Sequence, residues 1–209
     1  MASTELLLQF FAATILFAIL PGPALMYVTG QTLASGRSGG FLASIGLHMG
    51  GLVHVLAAAF GLAALLAAVP TAYTVLKFVG AAYLVWIGIS MIYMKESPAS
   101  APKFKQKSSK RAFVDGFMVE VLNPKTALFF LAFLPQFIDP AAAFPVWVQF
   151  FILGFITNLF LSSADLVAVF FTSFIMRRLK ESGPGKKIAQ WVAGSMMIGL
   201  GINLALSKD

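Results

Sequence analysis

The chain has 209 residues, of which 59% are hydrophobic and 11% charged, with a mean hydropathy of +0.87. Soluble domains lie near about 45–50% apolar and about 25% charged, so this composition is that of an integral membrane protein. The absence of cysteine excludes disulfides, thiolate metal sites and thiol relays, and the net charge of +7 sits in short loops that suit anionic lipid headgroups rather than nucleic acid.

Apolar runs long enough to cross about 30 Å of hydrocarbon occur six times, near residues 4–34, 40–68, 71–93, 113–138, 146–176 and 188–206. No Lys or Arg precedes Arg37, so the first run lacks the basic start of a cleaved signal peptide and reads as a retained span. It is interrupted by Pro21-Gly22-Pro23. Proline has no N–H and collides with the carbonyl four residues back, so the motif frees the carbonyls of Phe17 and Ile19. In lipid each freed group costs several kcal/mol unless a polar partner meets it.

The second run carries His48 and His54, six residues apart and so pointing about 120° from each other, which rules out a two-ligand metal pair. His54, near mid-span, is a candidate for proton handling, its alternative being a hydrogen-bonded packing residue. Gly46, Gly50, Gly51 and Gly61 on the same run favour close helix packing. In the third run Lys77 lies close enough to the outer surface to snorkel.

A basic linker, 95–112, leads to the fourth run, which is interrupted by Asn123-Pro124-Lys125. Pro124 frees the carbonyl of Glu120, and counting about 1.5 Å per residue puts this interruption at the same depth as the first. Glu120, Lys125 and, in the fifth run, Asp165 are ionisable groups deep in the bilayer, where they are costly unless paired or wet and therefore functional candidates. A structural ion pair is the plain alternative. Asn158 and Ser162 stand at i and i+4 and can face the same cavity. Asp115 is near enough to Lys110 and Arg111 to be interfacial.

Twelve Lys/Arg fall in the loops after spans 1, 3 and 5, which places those loops in the cytoplasm and both termini outside it. The segment from Phe78 to Ile89 aligns without a gap with that from Trp191 to Ile202, and Gly22-Pro23 falls against Asn123-Pro124. The expected fold is therefore all-α: a single domain of six transmembrane helices in two inverted three-helix repeats, 1–94 and 113–209, with helices 1 and 4 broken. Inverted repeats with paired interrupted helices are the architecture of many secondary transporters, whose substrate site lies at the midplane. A broken helix offers free carbonyls to a cation and free amides to a carboxylate. No Walker loop, catalytic Ser motif, metalloprotease motif or cofactor motif is present, so an ion or solute gradient is the expected driver.

The residues PGP at 21–23, ASGRSG at 34–39, FVGAAYLVWIG at 78–88, LNPKTALFF at 122–130 and LAFLPQFID at 131–139 resemble the LysE/RhtB amino-acid exporter family over nearly the whole chain. The resemblance implies a bacterial inner-membrane exporter of amino acids or close derivatives in exchange for protons, with Pro21, Gly22, Pro23, Asn123, Pro124 and Lys125 at motif positions. Glu120 departs from the asparagine of many relatives. The expected mechanism has Lys125, Asn158 and the broken-helix amides holding substrate, with Glu120, Asp165 or His54 coupling to protons. Export of an inorganic cation by the same architecture is the alternative, and a homodimer is left open.

Overall fold

The computed structural model describes residues 4–19, 22–69, 71–93 and 106–180, with scattered positions between 191 and 206. Pro21, Pro70, residues 94–105 and residues 181–190 lie outside the described residues, so Pro21's place in the first interruption and five of the loop lysines do too.

The described chain is all-helical. Helix α1 (Thr4–Ile19) is followed by α2 (Pro23–Leu56), whose N-cap Gly22 is extended (φ −137°, ψ −177°). Pro23 takes the first helical position, where a missing N–H has no intrahelical partner to lose. Within α2, Gly36 has φ 71° and ψ −176°, so α2 is two helices meeting at a corner that only glycine adopts without a Cβ clash. The loop expected between the first two spans is reduced to this corner. A π-helical turn (Ala57–Leu62) and α3 (Ala63–Ala68) continue the run. Straight, its 46 residues would reach about 69 Å, over twice a bilayer's hydrocarbon, so the corner is what lets it fit.

Helix α4 is Thr71–Tyr93, and α5 (Ser109–Val121) starts under a Ser108 cap. Then come α6 (Pro124–Leu128), a π-helical turn (Phe129–Phe133) and a 3₁₀ turn (Leu134–Phe137). Helix α7 (Val146–Lys180) bends at Phe171. Six crossings were expected. Among the described residues three stretches are long and apolar enough, Pro23–Ala68, Ser109–Phe137 and Val146–Thr172, accompanied by the shorter apolar helices Leu6–Ile19 and Lys77–Ser90. Large apolar side chains such as Leu8, Phe60, Trp86 and Phe170 face outward while Thr14, Gln31, Glu120, Asn158 and Asp165 are buried. This inside-out polarity fits a lipid surround, as for a multi-pass membrane protein.

Close packing rests on small residues, as expected where lipid gives no hydrophobic drive between helices. A Cβ on Gly50 would lie 2.7 Å from the Phe117 carbonyl, and one on Gly116 would lie 2.6 Å from that of Ala43, so α2 and α5 touch backbone to backbone. Gly51 leaves room for the Asn158 amide. Gly61 faces open space and is not part of this contact. Helix α4 meets the last apolar segment the same way: Gly88 lies against the Gly194 carbonyl and Gly201 against that of Ala81. Lys77 is buried at 5% exposure rather than snorkelling, because α4 lays that face, with Gly80 against Ala132, on the Phe129–Phe133 turn. Under the interruptions lies an aromatic core in which Phe17 and Phe129 stand 4.4 Å apart and Phe10 and Phe137 5.3 Å.

Candidate functional site

The second interruption is locally self-sufficient. Asn123 (φ −73°, ψ 107°) caps α6, its Oδ1 accepting from the Lys125 N–H at 3.1 Å. Its Nδ2 donates to Glu120 Oε2 at 3.0 Å, and the Thr126 hydroxyl donates to Oε1 at 2.7 Å, so the buried carboxyl of Glu120 is held by its own turn. The Glu120 carbonyl, out of reach of any N–H on Pro124, accepts from the Asn123 N–H at 3.0 Å and from His54 Nε2 at 2.9 Å. A carbonyl only accepts, so His54 carries a proton on Nε2. His54 thus closes the back of the break, against Phe130, and does not line the cavity described below.

The first interruption is completed from the second. Lys125 Nζ donates to the Phe17 carbonyl at 2.9 Å, the group Pro21 cannot serve, and lies 4.3 Å from the centre of the Phe17 ring. Gly22 is where the lysine crosses: a Cβ there would be 2.9 Å from Lys125 Cδ. The start of α2 has no side-chain cap, and Ala24 and Leu25, whose N–H groups are the first two α2 offers, line the cavity.

That cavity has a volume of about 30 Å³ and lies between α1, α2, the α5–α6 junction and α7. Glu120, Asn123, Lys125 and Thr126 contribute from one side, and Asn158, Ser162 and Asp165 from α7 at i, i+4 and i+7 from the other. Phe17, Leu25, Leu47 and Leu161 form its apolar wall. Asp165 is 7% exposed and its carboxyl has no hydrogen-bond or ion-pair partner among the described residues. With all three charged groups ionised the cavity carries one excess negative charge, which a proton or an ammonium would neutralise. Its volume is that of about one water, on the ~30 Å³ each occupies in the liquid, so admitting a larger solute requires the helices to part.

The structure brings Gly22, Glu120, Asn123, Lys125, Asn158, Ser162 and Asp165 to one cavity; Pro23 and Pro124 are the first residues of the helices around it. His54 is one layer behind, and Pro21 is outside the described residues. Sequence reasoning missed Thr126 and His48 and left the residues after Pro23 that open α2 unnamed. Thr126 holds Glu120, and the Asn-Pro-Lys-Thr order, a cap followed by a hydroxyl at the third helical position, was its signal. Ala24 and Leu25 line the cavity at the uncapped start of α2, where free amides were expected without a residue-type signal to name them. His48 bonds to Asn158 and Ser162, a contact across 110 and 114 residues that nothing local announces.

At the start of α5, Asp115 pairs with Lys107 at 2.7 Å and with Arg111 at 3.0 Å, rather than with Lys110. The Tyr27 hydroxyl donates to the Ala112 carbonyl at 3.0 Å, tying the start of α2 to α5. Among the described residues no cluster of three His, Cys, Asp or Glu could hold a metal ion.

Residues 15–208 match the family model described as LysE type translocator. An uncharacterized membrane protein of Pseudomonas aeruginosa is 31% identical over 90% of this chain and 88% of its own length. One from Synechocystis sp. is 30% identical over 97% of this chain and 96% of its own. A leucine efflux protein of Enterobacter sp. is 29% identical over 90% of this chain and 89% of its own. No solved structure matches the chain significantly.

Proposed function

The chain belongs to the LysE family of translocators, and from that premise we propose that it exports an amino acid from the cytoplasm in exchange for protons. Relatives named leucine efflux proteins support an amino-acid cargo, and translocation rather than catalysis is the activity of the family. The observation that carries the reading is a buried cavity lined by both signs of charge. The uncapped start of α2 at Ala24 and Leu25, the ammonium of Lys125 and the carboxyl of Glu120 meet there the carboxyl of Asp165 from α7, which has no hydrogen-bond or ion-pair partner among the described residues. A zwitterionic amino acid matches this: its carboxylate goes to the amides and Lys125, its ammonium to Asp165 and the charge of Glu120. Phe17, Leu25, Leu47 and Leu161 would meet an aliphatic side chain, and Asn158, on α7 with Asp165, would help to orient the substrate.

Because the substrate ammonium and a proton compete for Asp165, each displaces the other, which is the logic of antiport. The small cavity volume favours alternating access, since neither face admits an amino acid without a movement. The halves 1–94 and 113–209 as inverted repeats supply that movement. In their support, Gly88 against Gly194 and Gly201 against Ala81 are the same contact when one half is shifted onto the other by 113 residues. The bias of Lys and Arg supports an orientation with both termini periplasmic, in keeping with a multi-pass protein of a bacterial inner membrane. An inorganic cation is the poorer cargo, because Lys125 already places an ammonium in the site.

Proteoliposomes loaded with labelled leucine test the proposal. Wild type is expected to release leucine faster under an imposed pH gradient, and Asp165→Asn to lose that acceleration while retaining leucine–leucine exchange. Full acceleration in both Asp165→Asn and Glu120→Gln would sink the coupling role of the carboxyls.

A further inference from the structure

One histidine behind the cavity, His48, has no part in the mechanism above. His48 of α2 directs Nδ1 at Ser162 Oγ, 2.5 Å away, and at Asn158 Nδ2, 3.3 Å away. Asn158 Nδ2 also donates to the His48 carbonyl at 3.2 Å. That last contact fixes the amide's orientation, since a carbonyl can only accept. The group facing Nδ1 is therefore an NH₂, which can only donate, so Nδ1 accepts and a neutral His48 carries its proton on Nε2. The Ser162 hydroxyl donates or accepts as required. Gly51, one turn on, is what admits the amide so close to α2.

Protonation changes this set in one direction. A proton on Nδ1 is compatible with Ser162, whose oxygen then accepts, but confronts the amide N–H of Asn158. Asn158 and Ser162 both line the cavity, so both consequences, a displaced amide and a cation behind Ser162, reach the substrate's position. The titratable groups facing this region are Asp165 on α7, Glu120 on α5 and Lys125 on α6, with His54 on α2 itself.

We propose that His48 is a proton-linked positioning residue: neutral, it holds Asn158 and Ser162 in the substrate-binding arrangement; protonated, it releases Asn158 and repels the substrate ammonium. The inference rests on the transport reading and adds a second proton-sensitive element to it, with the sign antiport needs, proton uptake weakening substrate binding.

Two experiments test it. Nitrogen-15 NMR of histidine- and asparagine-labelled protein in nanodiscs needs no substrate; the chain has two histidines, and His48→Asn assigns them. The expected spectrum has neutral His48 protonated at Nε2, and the Asn158 amide shifts with the same midpoint as His48 when the pH falls from about 8.5 to 5.5. An Nδ1–H tautomer, a His48 that does not titrate, or an indifferent Asn158 amide overturns the proposal whatever the protein transports.

In labelled-leucine efflux, the wild-type KM is expected to rise as pH falls across that range. His48→Asn, which keeps an acceptor near the Nδ1 position without a proton to gain, should lose most of that rise with kcat within about twofold. His48→Leu, with no acceptor, should have a raised KM at every pH. A His48→Asn profile that tracks wild type overturns the proposal while leaving the transport reading intact. Leucine efflux insensitive to a pH gradient would instead count against antiport, and the NMR result would then decide on His48 alone.

Discussion

An ammonium at mid-membrane depth costs several kcal/mol unless it is met. Lys125 is met by the Phe17 carbonyl at 2.9 Å and by the Phe17 ring, across the space left by Gly22. Lys125→Met keeps most of the side-chain length and removes the charge. It deletes a charge-assisted bond worth about 1.5–3 kcal/mol and leaves the Phe17 carbonyl short of a donor, so KM for leucine should rise at least about tenfold. Gly22→Ala, which pushes on Lys125 Cδ, should raise it in the same direction by less. Efflux kinetics that leave KM unchanged in both variants would remove Lys125 from carboxylate recognition. Which carbonyls go unserved was legible in the sequence, because the i−4 rule names Phe17 and Glu120 from Pro21 and Pro124 alone. Their donors were not. Lys125 reaches Phe17 across 108 residues and His54 reaches Glu120 across 66, and such partners exist only once the helices pack.

At the scale of elements, the site depends on how closely α2 lies on α5 and α7. Gly50 tests this beside the site, since an added Cβ would sit 2.7 Å from the Phe117 carbonyl and 2.8 Å from Glu120 Cβ. Backbone cannot yield there as a flexible side chain can, so Gly50→Ala should cost about 1–3 kcal/mol and lower the thermal unfolding midpoint in detergent by several degrees. Gly61→Ala, with nothing within 4 Å, should leave the midpoint where it is. Equal shifts in the two variants would mean that the α2–α5 contact is not the tight one. The sequence groups Gly61 with Gly50 for a good reason: eleven residues are close to three helical turns. The π-helical turn Ala57–Leu62 takes up an extra residue and rotates Gly61 off that line. Neither it nor the corner at Gly36 carries a hydropathy signal, so the sequence reads a loop after the first span where one glycine suffices.

For the whole molecule, the inverted arrangement requires the corner at Gly36 and the start of α5 to share one side, and the turn before α7 to lie on the other. The first pairing has a structural tie, because the Lys107 N–H donates to Ser35 Oγ at 3.3 Å. The second follows from length: Ser109–Phe137 is 29 residues, or about 43 Å of helix, enough to carry the chain across the bilayer. Since the chain contains no cysteine, single substitutions report on one position each. Ser38, Lys110 and Ala141 are all exposed. With twelve Lys/Arg in the loops assigned to the cytoplasm, Ser38→Cys and Lys110→Cys should react with a membrane-impermeant maleimide only after permeabilisation, and Ala141→Cys in intact cells. The mirror pattern would reverse the orientation and turn the proposed exporter's loading side outward. Labelling of Lys110→Cys and Ala141→Cys from the same side would deny the crossing itself, and with it the midplane depth expected of Glu120 and Lys125.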